Sequence, residues 1–273
     1  MAGKLGIIAG GGILPARAAA ACRAEGRPYF ILAFEGETDP ETLAGEPHAI
    51  VRIGAAATTL RHLRANGVED VVLAGRIKRP SLRRIRPDWR AVQLLVRLGL
   101  KASGDDGLLG AVVTEFEREG FRVVGIDTVM SSLLIPAGPL GRHRPDDAAA
   151  ADIERGRLVA QQLGRLDVGQ AAVVQDGVVL AVEAVEGTDA MLGRIPAVRL
   201  EPTGGVLVKM RKPQQERRVD LPAIGPVTVE KAVAAGLAGI AVEAGGALVL
   251  DREAVVAAAD AAGLFVVGIP AAP

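Results

Sequence analysis

The 273-residue chain has little of several features that mark common protein classes. Its single cysteine, Cys22, excludes a disulfide framework within the chain and suits a reducing compartment. Its 32 basic and 32 acidic residues leave no net charge. This balance argues against a nucleic-acid partner, because affinity for the phosphate backbone needs a basic face. The sequence contains no run of about twenty apolar residues, so no membrane-spanning helix is expected.

The common patterns of zinc sites and serine hydrolases are also missing. The three histidines have no metal-ligand spacing, and a Cys-x-x-Cys pair is absent. No Ser-His-Asp order is visible. The apolar N-terminus superficially imitates a secretory signal, but the glycines at 10–12 and Pro15 interrupt it. A strand followed by a turn is the preferred interpretation of that stretch.

Short apolar runs alternate with helical patterns through residues 1–130, which predicts a Rossmann-like layered parallel sheet. Residues 131–145 are rich in proline and glycine and are predicted to be a linker. Residues 146–273 again mix both patterns, and Asp176-Gly177 between two apolar runs marks a β-hairpin. We therefore predict an α/β protein with an N-terminal domain, a linker and a C-terminal mixed α/β domain.

The stretch GIIAGGGILP, residues 6–15, predicts a strand, a glycine turn and a helix. Backbone N–H groups of Gly11 and Gly12 would approach phosphate oxygens at the helix N-terminus. The match to the dinucleotide fingerprint is partial, because Pro15 stands where its third glycine belongs. Glu35 could act as the ribose-binding acid. A tight turn without a ligand is the alternative.

The apolar run VVLAG is followed by a segment rich in basic residues, RIKRPSLRRIRPDWR. Cations at the carboxyl end of a strand suit a phosphate, since open α/β sheets bind ligands at that edge. Gly75, Arg76 and Lys78 are therefore candidate phosphate contacts. For the arginines beyond Pro80, a solvated face or a subunit contact is favoured.

Two acidic motifs offer oxygen ligands. Asp105 and Asp106 precede a predicted helix, where acids cap the helix or bind a sugar hydroxyl or a cation. Thr188 and Asp189 follow the second strand of the hairpin. They could cap a helix there, or a carboxylate at that strand exit could serve Mg²⁺.

The segment after the strand GGVLVK is the most unusual, because it places Asp220 in a proline-bounded stretch among cations. By two-residue alternation, Lys209 and Arg211 share a face and Lys212 points the other way. Cations and a carboxylate together suit phosphate chemistry, with lysines offsetting negative charge and the acid positioning a metal or water. A structural ion pair is the alternative.

Five segments, taken in order, resemble the LpxI-type UDP-2,3-diacylglucosamine pyrophosphatases of the lipid A pathway. They are IIAGGGILP, LAGRIKRPSL, SGDDGLLGAV, VVQDGVVLAVEAVEGTDAML and KMRKPQQERRVDLPAIGPVTVE. The resemblance implies a cytoplasmic homodimer that hydrolyses this amphipathic nucleotide-sugar lipid to UMP and 2,3-diacylglucosamine 1-phosphate (lipid X) with Mg²⁺. The ligand would be held between the domains, and water would be directed at the sugar-side phosphorus. Peripheral membrane contact suits such a substrate, although no strongly amphipathic basic helix demands it.

The resemblance also implies residue roles. The family pattern around Asp220 falls on Lys212, Pro213, Arg218, Asp220, Pro222 and Gly225. Catalysis is assigned to Asp220, Lys209 and Lys212, and metal binding to Asp220 and Asp189. Substrate contacts are assigned to Gly11, Gly12, Gly75, Arg76, Lys78, Asp105, Asp106, Gln175 and Thr188.

Two alternative functions stay open. An NAD-dependent oxidoreductase would use the glycine turn and Glu35, but it leaves the charge cluster around Asp220 unexplained. A non-catalytic nucleotide-sugar-binding protein would keep the cations and have no use for Asp220.

Overall fold

The computed structural model describes residues 2–77, 87–98, 105–213, 218 and 221–271. The chain divides into two compact units. Unit 1 comprises Met1–Ser131 with Glu216–Val219, and unit 2 comprises Ser132–Gln215 with Asp220–Pro273. No helix in the described ranges is both long enough and apolar enough to cross a bilayer.

Unit 1 is built on a parallel five-stranded sheet. Its strands are β1 Leu5–Ala9, β2 Tyr29–Phe34, β3 His48–Val51, β4 Asp70–Ala74 and β5 Arg122–Val123. Its helices are α1 Leu14–Ala24, α2 Ala56–Ala65, α3 Trp89–Leu98, α4 Asp105–Arg118 and α5 Ile126–Val129, with a 3-10 turn at Pro40–Leu43. The strand order is β3-β2-β1-β4-β5. This order confirms the Rossmann-like prediction.

The strand order places two loops side by side. The chain moves outward in one direction through β2 and β3 and in the other through β4 and β5, so β1 and β4 flank the point where the order reverses. Ligands of open α/β sheets bind at the carboxyl ends of strands at such a point. All five residues of β1 are buried, as a strand covered on both faces requires.

Unit 2 contains a mixed six-stranded sheet and a short parallel pair. Its strands are β6 Gly138–Pro139, β7 Ala171–Gln175, β8 Val178–Val182, β9 Val206–Lys209, β10 Ala223–Ile224, β11 Gly239–Glu243, β12 Leu248–Val249 and β13 Phe265–Ile269. Its helices are α6 Asp147–Arg165, α7 Gly187–Val198, α8 Pro226–Ala234 and α9 Arg252–Ala262. The main sheet has the order β6-β13-β11-β9-β7-β8, and β10 pairs with β12.

Alternating side chains of the central strand β9 supply two separate cores. Val206 and Val208 pack with residues of α6 on one face. Leu207, two residues before Lys209, packs with residues of α7, α8 and α9 on the other. Because side chains alternate along a strand, Lys209 points toward the face that α7 covers.

The hairpin predicted in unit 2 is confirmed. Asp176 and Gly177 join β7 to β8 with φ angles of 51° and 77°, as a two-residue hairpin with two left-handed residues requires. The buried carboxylate of Asp152 accepts both of their N–H groups. The side chain of Asp146 caps α6 by accepting the N–H of Ala149.

The segment predicted to be a linker is instead part of unit 2. Ile135 is 1% exposed, its N–H donates to Ala247, and the following β6 extends the main sheet by pairing with β13. Proline and glycine are tolerated on a short edge strand, so their abundance did not distinguish an edge from a linker. Arg218 also departs from the predicted boundaries, because it belongs to unit 1, where it donates to Glu117 on α4 at 2.5 Å.

Cys22 should resist alkylation in the native protein. It lies in α1 with 1% of its surface exposed, and burial raises the pKa of its thiol, so the reactive thiolate is scarce and inaccessible. We expect no iodoacetamide adduct at pH 8 in the folded chain and complete labelling in guanidinium, measured by mass spectrometry. Rapid labelling of the folded chain would contradict this packing of α1.

Candidate functional site

Charged residues gather at one edge of the unit 2 sheet, where β8, β9 and β11 end. We call Glu183, Lys209, Arg211, Lys212 and Glu243 the charged edge. Lys209 and Glu243 are the last residues of β9 and β11, and Glu183 directly follows β8. Each lies at the carboxyl end of its strand, which is the side of an α/β sheet that holds ligands.

Lys209 lies in a chain of three buried polar side chains. Its Nζ donates to Thr188 Oγ1 at 2.9 Å, and Thr188 Oγ1 donates to Glu183 Oε1 at 2.9 Å. The three residues are 4%, 9% and 7% exposed, respectively. The ammonium also donates to the carbonyl oxygen of Ala223 on β10 at 3.4 Å. The sequence prediction named Lys209 and Thr188, and the structure brings them into direct contact.

The other two cations of the charged edge are held by acids. Arg211 donates its backbone N–H and its Nε to the buried carboxylate of Glu243, at 3.1 and 3.4 Å. Lys212 Nζ lies 2.6 Å from Asp167 Oδ1 in the loop after α6. These acids fix the backbone that leaves β9 and limit where the two cations can reach.

The residues predicted to bind metal are only partly placed. Asp220 lies outside the described residues. Asp189, in the first turn of α7, is exposed and its Oδ2 lies 3.2 Å from Lys231 Nζ on α8. Across the described ranges, no group of three or more histidine, cysteine, aspartate or glutamate side chains forms a metal cage. The described residues therefore offer the oxygen donor of Asp189 but no dedicated cage for Mg²⁺.

Gln175, assigned above to substrate binding, is placed away from the charged edge. In the antiparallel register Ala171 opposes Lys209 and Val174 opposes Val206, so Gln175 at the end of β7 lies at the other end of the sheet. Its side chain is 2% exposed. Its Oε1 accepts the N–H of Leu200, and its Nε2 donates to the carbonyl of Thr203. These hydrogen bonds fix the loop before β9, and the substrate contact of Gln175 stays a prediction.

The glycine turn of unit 1 is joined to the loop after β4. Gly11 and Arg76 exchange two backbone hydrogen bonds of 2.8 and 3.0 Å, so the predicted Gly11, Gly75 and Arg76 meet at one place. The N–H of Gly10 donates to Ala74 at 2.8 Å. The strand order brings together residues more than sixty positions apart, as expected for loops at the reversal point.

The N–H groups of the glycine turn already have protein acceptors. Gly12 donates to Asp39 Oδ2 at 2.8 Å, Gly10 donates to the carbonyl of Ala74 at the end of β4, and Gly11 donates to that of Arg76 in the following loop. A phosphate bound by Gly12 would have to replace the Asp39 carboxylate. Arg76 is exposed. Lys78 lies outside the described residues, as do the side chains of Asp105 and Asp106 at the start of α4.

A cleft of about 500 Å³ in unit 1 lies at the edge where the strands of the sheet begin, opposite to the edge that carries the glycine turn. It is lined by Asp70 and Arg122, which begin β4 and β5, together with Arg64 and Glu119. Hydrogen bonds with Asp70 raise the pKa of Arg122, and the same carboxylate pairs with Arg27. These ion pairs tie the strand starts together, far from the loops after β1 and β4.

Comparison with known protein families shows which family the chain belongs to. The model of the LpxI N-terminal domain matches residues 4–133, and the model of the LpxI C-terminal domain matches residues 136–267. The chain belongs to the LpxI family. A curated LpxI relative, the UDP-2,3-diacylglucosamine pyrophosphatase LpxI of Caulobacter vibrioides, is 48% identical over 273 residues, covering 97% of each chain.

Sequence reasoning missed four acids that organise these sites. They are Asp39, Asp167, Glu183 and Glu243. Glu183 and Glu243 come directly at strand ends, and a carboxylate closing an apolar run could have flagged them. Asp39 and Asp167 lie in loops, and their partners are 27 and 45 positions away. Only the fold shows which cation or N–H they meet.

Proposed function

We propose that this LpxI-family chain hydrolyses the diphosphate of UDP-2,3-diacylglucosamine to UMP and 2,3-diacylglucosamine 1-phosphate in lipid A biosynthesis. The observation that carries the proposal is the match over 97% of both chains to a relative named for that diphosphatase substrate. The charged edge supports it, because a cleaving diphosphate gathers negative charge that buried cations stabilise.

The proposed roles follow from chemistry and placement. Lys209 would offset charge on the phosphoryl oxygens, because its ammonium is held at the carboxyl end of β9 by Thr188. Lys212 would act from the neighbouring turn, tethered by Asp167. Asp220 would direct the attacking water or hold the metal. Gly12, Gly75 and Arg76 would contribute substrate contacts from the loops of unit 1.

We propose Mg²⁺ as the cofactor on the basis of the family resemblance. Mg²⁺ prefers oxygen ligands and usually combines one or two carboxylates with substrate phosphates and water. Asp220 and Asp189 are the carboxylates proposed for it. When bound, the ion would supply Lewis-acid stabilisation of phosphoryl oxygens. We further propose that the protein is a cytoplasmic homodimer. It would contact the membrane surface peripherally to collect its amphipathic substrate.

Release of UMP tests the activity. Purified protein with UDP-2,3-diacylglucosamine and Mg²⁺ should release UMP, detected by liquid chromatography. A chelator should stop release and added Mg²⁺ should restore it. Substrate bound without any release would favour the non-catalytic nucleotide-sugar-binding alternative. Binding of NADH, followed by its fluorescence, would favour the oxidoreductase, an alternative weakened by the occupied N–H groups of Gly10, Gly11 and Gly12.

The position of water attack gives a second test. If water attacks the sugar-side phosphorus, its oxygen bonds to that phosphorus and the bridging oxygen leaves with UMP. Turnover in ¹⁸O-labelled water should then place the label in 2,3-diacylglucosamine 1-phosphate and leave UMP unlabelled, by mass spectrometry. Label found in UMP would show attack at the uridine-side phosphorus and would contradict this assignment.

A further inference from the structure

Glu183 is a buried acid that the proposed reaction does not use directly. It follows β8 with 7% of its surface exposed, and its backbone N–H donates to Ala171 at 2.9 Å. Ala171 also pairs with Lys209 in the neighbouring ladder. Directly paired residues of antiparallel strands share a face, so Lys209 and Glu183 flank Ala171 on the same side. The small side chain of Ala171 leaves space for a group from α7 to enter between them.

Thr188 of α7 occupies that space and fixes the order of the chain. An ammonium has donors only, so Thr188 Oγ1 must accept from Lys209 Nζ. The single hydroxyl hydrogen is then available for Glu183 Oε1, which must accept it. Each group therefore has one possible role. Thr188 therefore orients the Lys209 ammonium together with the carbonyl oxygen of Ala223, and Glu183 orients Thr188.

The arrangement has features that packing alone does not require. Glu183 Oε2 is buried without a hydrogen-bond partner among the described residues, whereas buried polar atoms normally have one. A buried ion pair is commonly no more stable than apolar side chains of similar volume. Two hydrogen bonds of 2.9 Å separate the carboxylate from the ammonium, so the opposite charges lie within about 6 Å.

We propose that Glu183 is a positioning residue of the diphosphatase site, holding the Lys209 ammonium in place through the Thr188 hydroxyl. This inference rests on the proposed function. Glu183 does not touch substrate; it acts on the reaction through Lys209. Its loss should therefore lower kcat with little change in KM, and it should have no effect once Lys209 has been removed.

A double-mutant cycle tests this dependence. Glu183→Met should lower kcat by roughly 10- to 100-fold, the usual effect of removing a group that orients a reacting residue. Lys209→Met should lower it further, and the double variant should match Lys209→Met, because residues acting as one unit are not additive. If the two losses multiply, Glu183 acts independently of Lys209 and the proposal is overturned.

Conservative variants provide the controls. Thr188→Val should lower kcat as Glu183→Met does, and Thr188→Ser, which restores the hydroxyl, should recover most of that loss. Glu201→Gln removes an exposed acid in the loop before β9 and should change nothing. If Glu183→Met does not fold, Thr188→Val replaces it in the cycle, because it breaks the same path from Glu183 to Lys209.

The outcomes separate this inference from the proposed function. Wild-type protein that releases no UMP would overturn the proposed function itself. Active wild-type protein with unchanged kcat in Glu183→Met and Thr188→Val would overturn only the role of Glu183. The role of Glu183 would also be overturned if Glu183→Met unfolded at a lower temperature and regained the wild-type kcat when assayed below its unfolding transition. That pattern marks a residue that only stabilises the fold.

Discussion

Replacing Lys209 with methionine is expected to lower the kcat of UMP release by roughly 10²- to 10³-fold. Removing one group that stabilises charge in a transition state typically has an effect of this size. Methionine resembles lysine in length, so the site that buries 96% of Lys209 should remain filled. Only the ammonium is lost from the end of β9. KM should change little if that charge is used mainly in the transition state.

Stability must be followed in the same variant, because it leaves Glu183 buried without its cation. Removing one member of a buried charge pair typically costs about 3–5 kcal/mol. Lys209→Met should therefore unfold at a lower temperature, and adding Glu183→Met should recover part of that loss. The kcat of each variant should therefore be measured at a temperature well below its unfolding transition. A folded Lys209→Met protein with wild-type kcat would show that Lys209 takes no part in the reaction.

The sequence draws attention to the cations of the charged edge but not to their partners. Lys209 and Lys212 stand out because basic residues directly follow an apolar run, and Thr188 stands out beside Asp189 after the hairpin. Glu183 did not stand out, because its importance comes from the register that sets β8, β7 and β9 side by side. Register is fixed by pairings across the sheet, and one sequence does not show which strands are neighbours.

The position of Gln175 also depends on strand direction. The resemblance assigns Gln175 to substrate binding, and that contact stays a prediction. Because β7 runs antiparallel to β9, Gln175 lies at the end of the sheet away from Lys209. The hairpin itself was predictable from local turn chemistry, whereas the orientation of the hairpin against β9 was not.

The parallel sheet of unit 1 was the most predictable part of the fold. Alternating strand and helix patterns leave few ways to bury each strand on both faces, and the observed order follows the doubly wound scheme. Composition failed at residues 131–145, because proline and glycine suit both linkers and short edge strands. Local sequence therefore predicted the layers, while strand order and register determined which residues meet.

Replacing Gly10 with alanine is expected to destabilise unit 1 markedly. An added Cβ would lie 2.5 Å from the carbonyl oxygen of Arg76 and 2.9 Å from the carbonyl carbon of Gly75. Both are backbone atoms that cannot rotate away, so the β1 and β4 loops must separate. Overpacking costs about 1–3 kcal/mol. Each Gly11–Arg76 hydrogen bond lost adds about 1 kcal/mol.

A matched glycine in the same unit provides the control for this prediction. Gly110 lies in α4, where an added Cβ meets nothing within 4 Å, so Gly110→Ala should stabilise the helix by about 0.5–1 kcal/mol. Trp89 is the only tryptophan and belongs to unit 1, so its fluorescence during urea unfolding reports on this unit. A Gly10→Ala midpoint equal to that of wild type would show that the two loops yield without cost. Such a result would contradict a rigid junction between the loops that carry Gly12 and Arg76.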